Sequence, residues 1–413
     1  MTNAPRRLFD RCARQAGMVA GFAHPFLTFL LIAALILTLF TFQTHAVLAQ
    51  GAPITWLIER VDVGQLSKTD LRSLQAPSLV IDSNQQPHLV YSEFFEEGPP
   101  SRLNYATRTA QGWITRTADL DGGASPSLAL TRQNQLRVSY LDIFVATNSA
   151  KYGQSSDGVV WASQLVTSGF NALQSSSDLA LDANDQASIA VGSHESISNR
   201  IYRMMLAVQV SNTWTVQPIA DGNGIAPTLA VDSLGQTHVS YQSSRGAGRW
   251  VVSYAVLANG LWLTETVGDI DTTPVVVSSH IAVDAGNTPH IAYTNRTRNE
   301  LVYASRTNGA WTRQIITGSV DALDLVLDEA GLPHLAYIEP TTPHRLVYAF
   351  QTSPGGTWIS STVTAGVKDD PLPPLSIALG PTGLPYIAYI DFTTGDVRVA
   401  RLGQAVYVPV VIH

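Results

Sequence analysis

Short runs of alternating apolar and polar residues follow one another along most of the chain, and one arrangement of them recurs about every fifty residues. Each copy starts with an apolar run that ends in a polar residue, passes through a turn, and closes with a second apolar run. Alternation with a period of two, interrupted by turn residues, predicts pairs of antiparallel strands. The seven copies are 77–91 (PSLVIDSNQQPHLVY), 126–140, 177–191, 227–241, 279–293 (SHIAVDAGNTPHIAY), 323–337 and 375–389.

Two further strands follow each hairpin. A run such as 103–108 (LNYATR) or 301–306 (LVYASR) leads into a tight turn such as Asn259-Gly260, a pair that tolerates positive φ. A tryptophan then opens the fourth strand, at Trp113, Trp161, Trp214, Trp262, Trp311 and Trp358. A four-stranded unit repeated at this period predicts an all-β fold, a single seven-bladed β-propeller of antiparallel blades.

The tryptophan strands also predict how the ring closes. Only six of them follow the seven hairpins, and the seventh, Trp56 in ITWLIERVD, precedes the first hairpin. The last unit, 375–401, has three strands and lacks a tryptophan strand. We therefore expect 56–62 to be the outer strand of the last blade, paired with 396–401, so that neither chain end leaves an exposed edge.

The amino-terminal segment predicts the compartment. Four arginines precede an apolar stretch from Phe26 to Phe42, and Val47-Leu48-Ala49 offers small residues before a cleavage point. This pattern is typical of an export signal at 1–49, cleaved after Ala49, and an uncleaved membrane anchor is the alternative. We expect an extracytoplasmic protein, secreted or at the cell surface, that touches a membrane only through this segment if it is uncleaved.

Composition limits the partners. Removal of residues 1–49 takes away four arginines and one aspartate, so the net charge changes from −7 to −10. An acidic chain with 14% charged residues lacks the basic surface that nucleic acids require. The sole cysteine, Cys12, precedes the apolar stretch, so the exported part has no disulfide. We expect a monomer with one domain at 50–402 and a short tail at 403–413.

A pair of polar residues six positions apart is the most regular polar feature of the hairpins. It reads Asp82/His88, Asp232/His238, Asp284/His290 and Asp328/His334. A catalytic interpretation would make each histidine a base oriented by its aspartate. A catalytic pair is needed only once, whereas this one recurs around the ring, so we interpret it as structural. The tyrosines that end the hairpins and the repeat tryptophans are likewise interpreted as packing between blades.

Ligand binding is predicted on one face of the ring. The second-to-third and fourth-to-first connections of the blades, which lie on the same face, are long and variable, and function concentrates in such loops. This face is acidic and includes a His-Glu pair in the most divergent copy. The candidate ligand residues are Glu93, Asp142, His194, Glu195, Asn295, Glu339 and Asp391.

Two acidic motifs on the same face make Ca²⁺ the one candidate cofactor. Asp119-Leu120-Asp121-Gly122 and Asp269-Ile270-Asp271 offer the clustered oxygens that Ca²⁺ prefers. Neither has the spacing or the terminal glutamate of an EF-hand loop, so solvated aspartate turns are the alternative. The candidate metal residues are Asp119, Asp121, Asp269 and Asp271.

The repeats resemble those of exported bacterial propeller proteins built from PSLAhD-xxGxPHhAY and LxYAxR-xxGxW units, in which h is apolar. More distantly they resemble sialidase-like and lectin-type propellers. The resemblance covers 56–401 and implies the fold. The Ser-x-Asp-x-Gly-x-Thr-Trp motif typical of sialidases is absent.

Three functions remain open from the sequence. The first is a non-catalytic exported propeller that binds a surface glycan or a protein through the acidic loop face. The second is a glycoside hydrolase or lyase with a carboxylate pair at the channel mouth, since glycosidases require two carboxyl groups at a fixed separation. The third is a structural module of the cell surface.

Overall fold

Strands form wherever the alternating pattern predicts them. A computed structural model describes residues 55–63, 72–95, 101–143, 147–170, 175–196, 201–246, 249–271, 279–367, 375–391 and 394–403. The first fourteen strands are β1 (Trp56–Asp62), β2 (Arg72–Ile81), β3 (Pro87–Phe95), β4 (Arg102–Thr109), β5 (Gly112–Asp119), β6 (Ala124–Leu130), β7 (Leu136–Asp142), β8 (Asn148–Ser155), β9 (Ala162–Phe170), β10 (Ser176–Leu181), β11 (Ala187–Ser196), β12 (Ile201–Val210), β13 (Thr213–Pro218) and β14 (Ile225–Val231).

The second fourteen strands continue the same order. They are β15 (Thr237–Ser244), β16 (Trp250–Ala258), β17 (Leu261–Asp271), β18 (Ser279–Val283), β19 (Pro289–Asn295), β20 (Glu300–Thr307), β21 (Ala310–Thr317), β22 (Ala322–Leu327), β23 (Pro333–Glu339), β24 (His344–Gln351), β25 (Trp358–Val367), β26 (Leu375–Leu379), β27 (Pro385–Ile390) and β28 (Val397–Leu402). Within the described ranges, the chain forms no helix that is both long and apolar enough to cross a bilayer.

The strands form seven four-stranded antiparallel sheets, which confirms the predicted seven-bladed propeller. Blades 1 to 6 each take four consecutive strands, from β2–β5 to β22–β25. Blade 7 has the order β26, β27, β28, β1, so the amino-terminal strand completes it. Its register runs from Trp56 opposite Leu402 to Asp62 opposite Val397. The predicted ring closure is confirmed.

Aromatic pairs pack each blade against the next. The tryptophan of one outer strand meets, edge to face, a tyrosine on the third strand of the preceding blade: Trp161 on Tyr105 with ring centroids 5.6 Å apart, and Trp56 on Tyr348 at 5.5 Å. Trp214, Trp311 and Trp358 repeat this contact. Such pairs stabilise by about 0.5–1.5 kcal/mol beyond area burial. The tryptophans are therefore packing residues, as predicted.

The Asp/His pairs tie each hairpin to the third strand of its own blade. Asp232 Oδ1 accepts hydrogen bonds from the backbone N–H groups of Leu234 and Gln236, and Oδ2 lies 3.2 Å from His238 Nε2. The other ring nitrogen lies 2.7 Å from the Tyr254 hydroxyl. Blades 1, 5 and 6 repeat the histidine–tyrosine hydrogen bond with His88, His290 and His334, whose Nε2 atoms lie 3.6, 3.3 and 3.6 Å from the aspartate of the same hairpin. A buried chain of this kind, present four times, supports the structural interpretation.

These histidines predict a loss of stability in acid. Burial lowers the pKa of His88, His238 and His290, and their aspartates offset this only in part. The unfolded chain therefore binds protons more readily, and stability falls as pH drops below about 6.5. We expect denaturant unfolding between pH 7.5 and 5 to show this fall and His238→Gln to reduce its slope. A slope that is the same in both proteins would contradict the neutral, buried state.

A ring of polar side chains, which we call the inner girdle, joins the innermost strands around the central channel. It consists of Ser78, Ser127, Asp178, Thr228, His280, Asp324 and Ser376, one from each blade, around a cavity of about 470 Å³. A polar contact links each blade to the next. In five of these contacts a backbone N–H donates to a side-chain oxygen of the neighbouring blade: Leu79 to Ser376 Oγ, Leu128 to Ser78 Oγ, Leu179 to Ser127 Oγ, Leu229 to Asp178 Oδ2 and Ile377 to Asp324 Oδ2. The other two are the Thr228 hydroxyl with the Ser279 carbonyl, and His280 Nδ1 with Asp324 Oδ1. The girdle thus closes the ring from within.

Candidate functional site

Six of the seven candidate ligand residues lie in the last part of strands, although they were predicted to lie in loops, and Asp391 directly follows β27. Glu93 and Asn295 belong to β3 and β19, and Asp142 and Glu339 end β7 and β23. His194 and Glu195 belong to β11, and their side chains lie outside the described part of the structure. The strands run further than predicted because their alternation continues past the closing tyrosine.

Intramolecular partners hold the described candidate side chains. Asn104 donates to Glu93 at 2.7 Å, Arg345 donates to Glu339, and Arg398 lies 3.3 Å from Asp391. Asn295 accepts the backbone N–H of Arg298 and so shapes its turn. The acidic face is thus partly neutralised by the chain itself, which the sequence did not reveal.

The residues that the structure does bring together lie where blade 1 meets blade 2. Lys151 Nζ donates to the Asp121 carbonyl at 2.5 Å and lies 3.2 Å from Asp142 Oδ2 and 3.9 Å from Asp119 Oδ2. The Tyr140 hydroxyl donates to Asp119, and the N–H of Asp121 donates to the same carboxylate. Burial first, and then Asp119, raises the pKa of Tyr140, so its hydroxyl remains a donor.

A cleft of about 450 Å³ adjoins this cluster. Pockets that bind small molecules usually measure about 300–1,000 Å³. Its rim is formed by the end of β5 and the residues that follow it, and its walls carry both aromatic and polar side chains. Among its lining residues are Thr117, Asp119, Asp121, Tyr140, Trp161 and Ser163. We call this space the blade 1/2 cleft.

The blade 1/2 cleft contains a buried donor with no protein acceptor. At two other junctions, a glutamate on the outer strand of one blade accepts the indole N–H of the tryptophan in the next blade. Glu59, three residues after Trp56, accepts from Trp113, and Glu265, three residues after Trp262, accepts from Trp311, both at 2.9 Å. The corresponding residue facing Trp161 is Arg116, whose guanidinium can only donate. Within the described structure, Trp161 Nε1 is buried and makes no hydrogen bond, as is also true of Trp214 Nε1 and Trp358 Nε1; Trp161 is the one of the three that lines the blade 1/2 cleft. A buried donor without an acceptor is an unused hydrogen-bonding capacity in the wall of the cleft.

A glycine shapes the wall of the cleft. Gly153 follows Tyr152 on β8, where the equivalent residue after Tyr105 in blade 1 is Ala106. A Cβ at Gly153 would lie 2.8 Å from Val138 Cγ1 and 3.6 Å from the Trp161 ring. Arg116, at a position where two other units have glutamate, and Gly153 are the sequence features that could have located the cleft.

The calcium hypothesis stays a prediction. Among the described residues, no three His, Cys, Asp or Glu side chains converge as a metal site. Asp269 and Asp271 were predicted to lie in a loop but belong to β17, and their side chains lie outside the described part of the structure. Beside Asp119 and Asp121, the cation is the ammonium of Lys151.

Removal of that ammonium should turn the cluster into a cation site. In Lys151→Met, the oxygens that face Lys151 would be free for Ca²⁺, which prefers carboxylate and carbonyl ligands. A ligand present at a hundredfold excess over its Kd stabilises the folded state by about 2.7 kcal/mol. We expect millimolar Ca²⁺ to raise the Tm of the variant more than that of the wild type, beyond NaCl of matched ionic strength. Equal shifts would contradict a cation site here.

Known proteins share the fold at low sequence identity. No family model and no curated protein matches the chain. The BP39L lectin from Burkholderia pseudomallei has a TM-score of 0.56 and 12% identity over 80% of this chain and 97% of the lectin. An ulvan lyase of polysaccharide lyase family PL25 has a TM-score of 0.55 and 11% identity over 81% and 94%. A Hadza microbial sialidase has a TM-score of 0.49 and 12% identity over 77% of both chains. The lectin and the lyase show that the ring is a known propeller architecture.

Proposed function

We propose that the protein is an exported, non-catalytic propeller that binds a carbohydrate in the blade 1/2 cleft. The observation that carries the proposal is the unsatisfied indole N–H of Trp161 in a cleft of about 450 Å³ that also presents carboxylates and hydroxyls. A lectin and a polysaccharide lyase share the fold, which supports a carbohydrate ligand over a protein. The resemblance of the repeats to exported bacterial propellers and the predicted signal at 1–49 support a role outside the cytoplasm.

The chemistry of the cleft suits a sugar. A pyranose presents hydroxyl groups that both donate and accept hydrogen bonds, and an apolar C–H face that packs on aromatic rings. The indole N–H of Trp161 is a donor, the Asp121 carboxylate is an exposed acceptor, and Thr117 and Ser163 add hydroxyls. A few placed polar groups among apolar walls are typical of small-molecule sites.

The charge of the rim favours a neutral or cationic sugar over an acidic one. The Asp119 and Asp142 carboxylates face the ammonium of Lys151, and the Asp121 carboxylate is exposed at the same rim, so the carboxylates outnumber this ammonium. A like charge brought into this field is repelled. The ulvan lyase is described in complex with a glycan that contains glucuronic acid and a sulfated rhamnose. We expect the present protein to reject such anionic polymers.

The contacts of the carboxylates support binding without turnover. A glycosidase needs two carboxyl groups, about 5–10 Å apart, that are free to transfer protons or attack the sugar. Asp119 is held by Tyr140 and by the backbone of Asp121, and Asp142 is paired with Lys151. These contacts make both side chains parts of the scaffold.

A glycan array probed with residues 50–413 tests the proposal. We expect retention on neutral or amino-sugar glycans, little on uronate or sulfated ones, and intact glycans after prolonged incubation. Released oligosaccharides, detected by mass spectrometry, would favour the hydrolase or lyase. Absence of binding to every glycan on the array would favour a structural module of the cell surface.

A further inference from the structure

One member of the inner girdle, His280, differs in chemistry from the other six. At most junctions, a hydroxyl or carboxylate of one blade accepts a backbone N–H of the next. Between blades 5 and 6 the link is His280 Nδ1 with Asp324 Oδ1 at 2.9 Å. This junction of the girdle is therefore the one whose strength depends on the protonation of a histidine.

Asp324 connects the junction between blades 5 and 6 to the junction between blades 6 and 7. Its Oδ1 also accepts the N–H of Leu325 in its own strand at 2.8 Å. Its Oδ2 accepts the N–H of Ile377 in blade 7 at 2.9 Å. One carboxylate thus holds blades 5, 6 and 7 together, and its hydrogen bonds depend on its staying ionised and oriented.

The groups that face His280 are two carboxylates and several hydroxyls. Asp324 on β22 is its direct partner, and Asp178 on β10 acts on it through charge. The neighbouring girdle residue on β14 is Thr228, which carries no charge. Among the described side chains that line the channel, the ionisable groups are Asp178, His280 and Asp324. A proton on His280 is therefore attracted by the negative charge of Asp324 and by that of Asp178 when it is ionised, since burial raises the pKa of Asp178.

We propose that the His280–Asp324 contact is a pH-sensitive tie of the ring, strong while His280 is protonated and weaker once it is neutral. A charged imidazolium donates a stronger hydrogen bond to a carboxylate than a neutral ring does. The hydrogen bond itself survives deprotonation, because Nδ1 can keep its hydrogen. Alkaline conditions thus loosen the junction between blades 5 and 6 without opening the ring.

The pKa of His280 is shifted in the opposite direction to the pKa of the hairpin histidines. Burial lowers its pKa, but Asp324 and then Asp178 outweigh burial, so the pKa of His280 is raised in the folded protein. The added stability is then fully present below the unfolded value of about 6.5 and is lost as pH rises through the folded value. The hairpin histidines act below about 6.5, so the two effects occupy separate pH ranges.

The test combines an NMR titration with unfolding measurements on residues 50–413. In the wild type we expect the His280 ring to titrate above pH 6.5. The free energy of unfolding should fall through the same pH range, with a slope that corresponds to at most about one more proton bound by the folded than by the unfolded state. His280→Gln, which keeps a donor but cannot titrate there, should lack this fall. His344→Gln is the matched control, because His344 also pairs with an aspartate, 3.1 Å from Asp321, but lies outside the girdle and the hairpins.

Two results would overturn the proposal. One is a His280 ring that titrates at or below 6.5 in the wild type, a measurement that needs no variant to fold. The other is an alkaline fall in stability that persists unchanged in His280→Gln. If His280→Gln does not fold, Asp324→Asn, which removes the charge of the direct partner, replaces it, and an unaltered His280 titration in that variant would equally count against the tie.

Discussion

Removal of the closing strand will lower the Tm of the ring by at least about 10 °C, when residues 63–413 are compared with 50–413. The strand pairs with β28 along its length, and Val61 is buried. Glu59 accepts hydrogen bonds from Arg108 and Trp113 of blade 1, and Asp62 accepts one from Tyr91. Buried aliphatic side chains contribute about 1.5–3 kcal/mol and hydrogen bonds about 1 kcal/mol each, so the loss should exceed about 5 kcal/mol.

A separate strand peptide provides the control for this deletion. A synthetic 54–63 peptide added to the truncated ring should restore part of the Tm, whereas a scrambled peptide should not. An unchanged Tm after the deletion would show that another segment, such as the tail at 403–413, can take the place of β1.

Gly123→Ala will destabilise the ring by about 3 kcal/mol or more. Gly123 has a φ of +146° and its N–H donates to the Leu141 carbonyl in blade 2. A Cβ there would lie 2.5 Å from the backbone C and O of Arg102 and the backbone N of Leu103. A backbone cannot turn aside as a flexible side chain can, so the strand end of β4 would have to move. Urea unfolding measures the change.

Gly235→Ala is the matched control for steric conflict. Gly235 also has a positive φ, +76°, but a Cβ there meets nothing within 4 Å. Only the backbone preference is lost, at about 1 kcal/mol. Equal losses in the two variants would mean that contact with β4 is unimportant.

The sequence predicted the fold because every blade repeats the same physical solution. Alternation defines the strands, Gly-containing turns define their order, and the displaced Trp56 strand shows how the ends meet. The girdle was harder to see. Its position is the middle residue of motifs such as PSL, SDL and SHI, where serine, aspartate and histidine differ in character but do the same work. Because the residue at this position varies among the repeats, the sequence alone does not show that all seven join neighbouring blades.

The candidate site was predicted only in part. The acidic motif 119–121 does lie at the rim of the cleft, but its charge partner Lys151 comes from the next blade. Contacts between blades join residues about 30 to 54 positions apart, and no local sequence pattern predicts them. The unsatisfied Trp161 depends on an arginine at a place where two other junctions have glutamate. That departure is visible in the sequence only after the junctions have been aligned in space.

The affinity of Asp121→Asn for the best glycan of the array tests the central claim most directly. Asp121 is exposed, and its side chain can be changed without loss of the carbonyl that holds Lys151. Asp221→Asn is the matched control, because Asp221-Gly222 follows β13 as Asp121-Gly122 follows β5, and Asp221 is exposed too. By titration calorimetry we predict a loss of about tenfold or more in affinity for Asp121→Asn and none for Asp221→Asn, since a hydrogen bond to a charged group contributes about 1.5–3 kcal/mol. Unchanged affinity in Asp121→Asn, or equal losses in both variants, would contradict a sugar site in the blade 1/2 cleft.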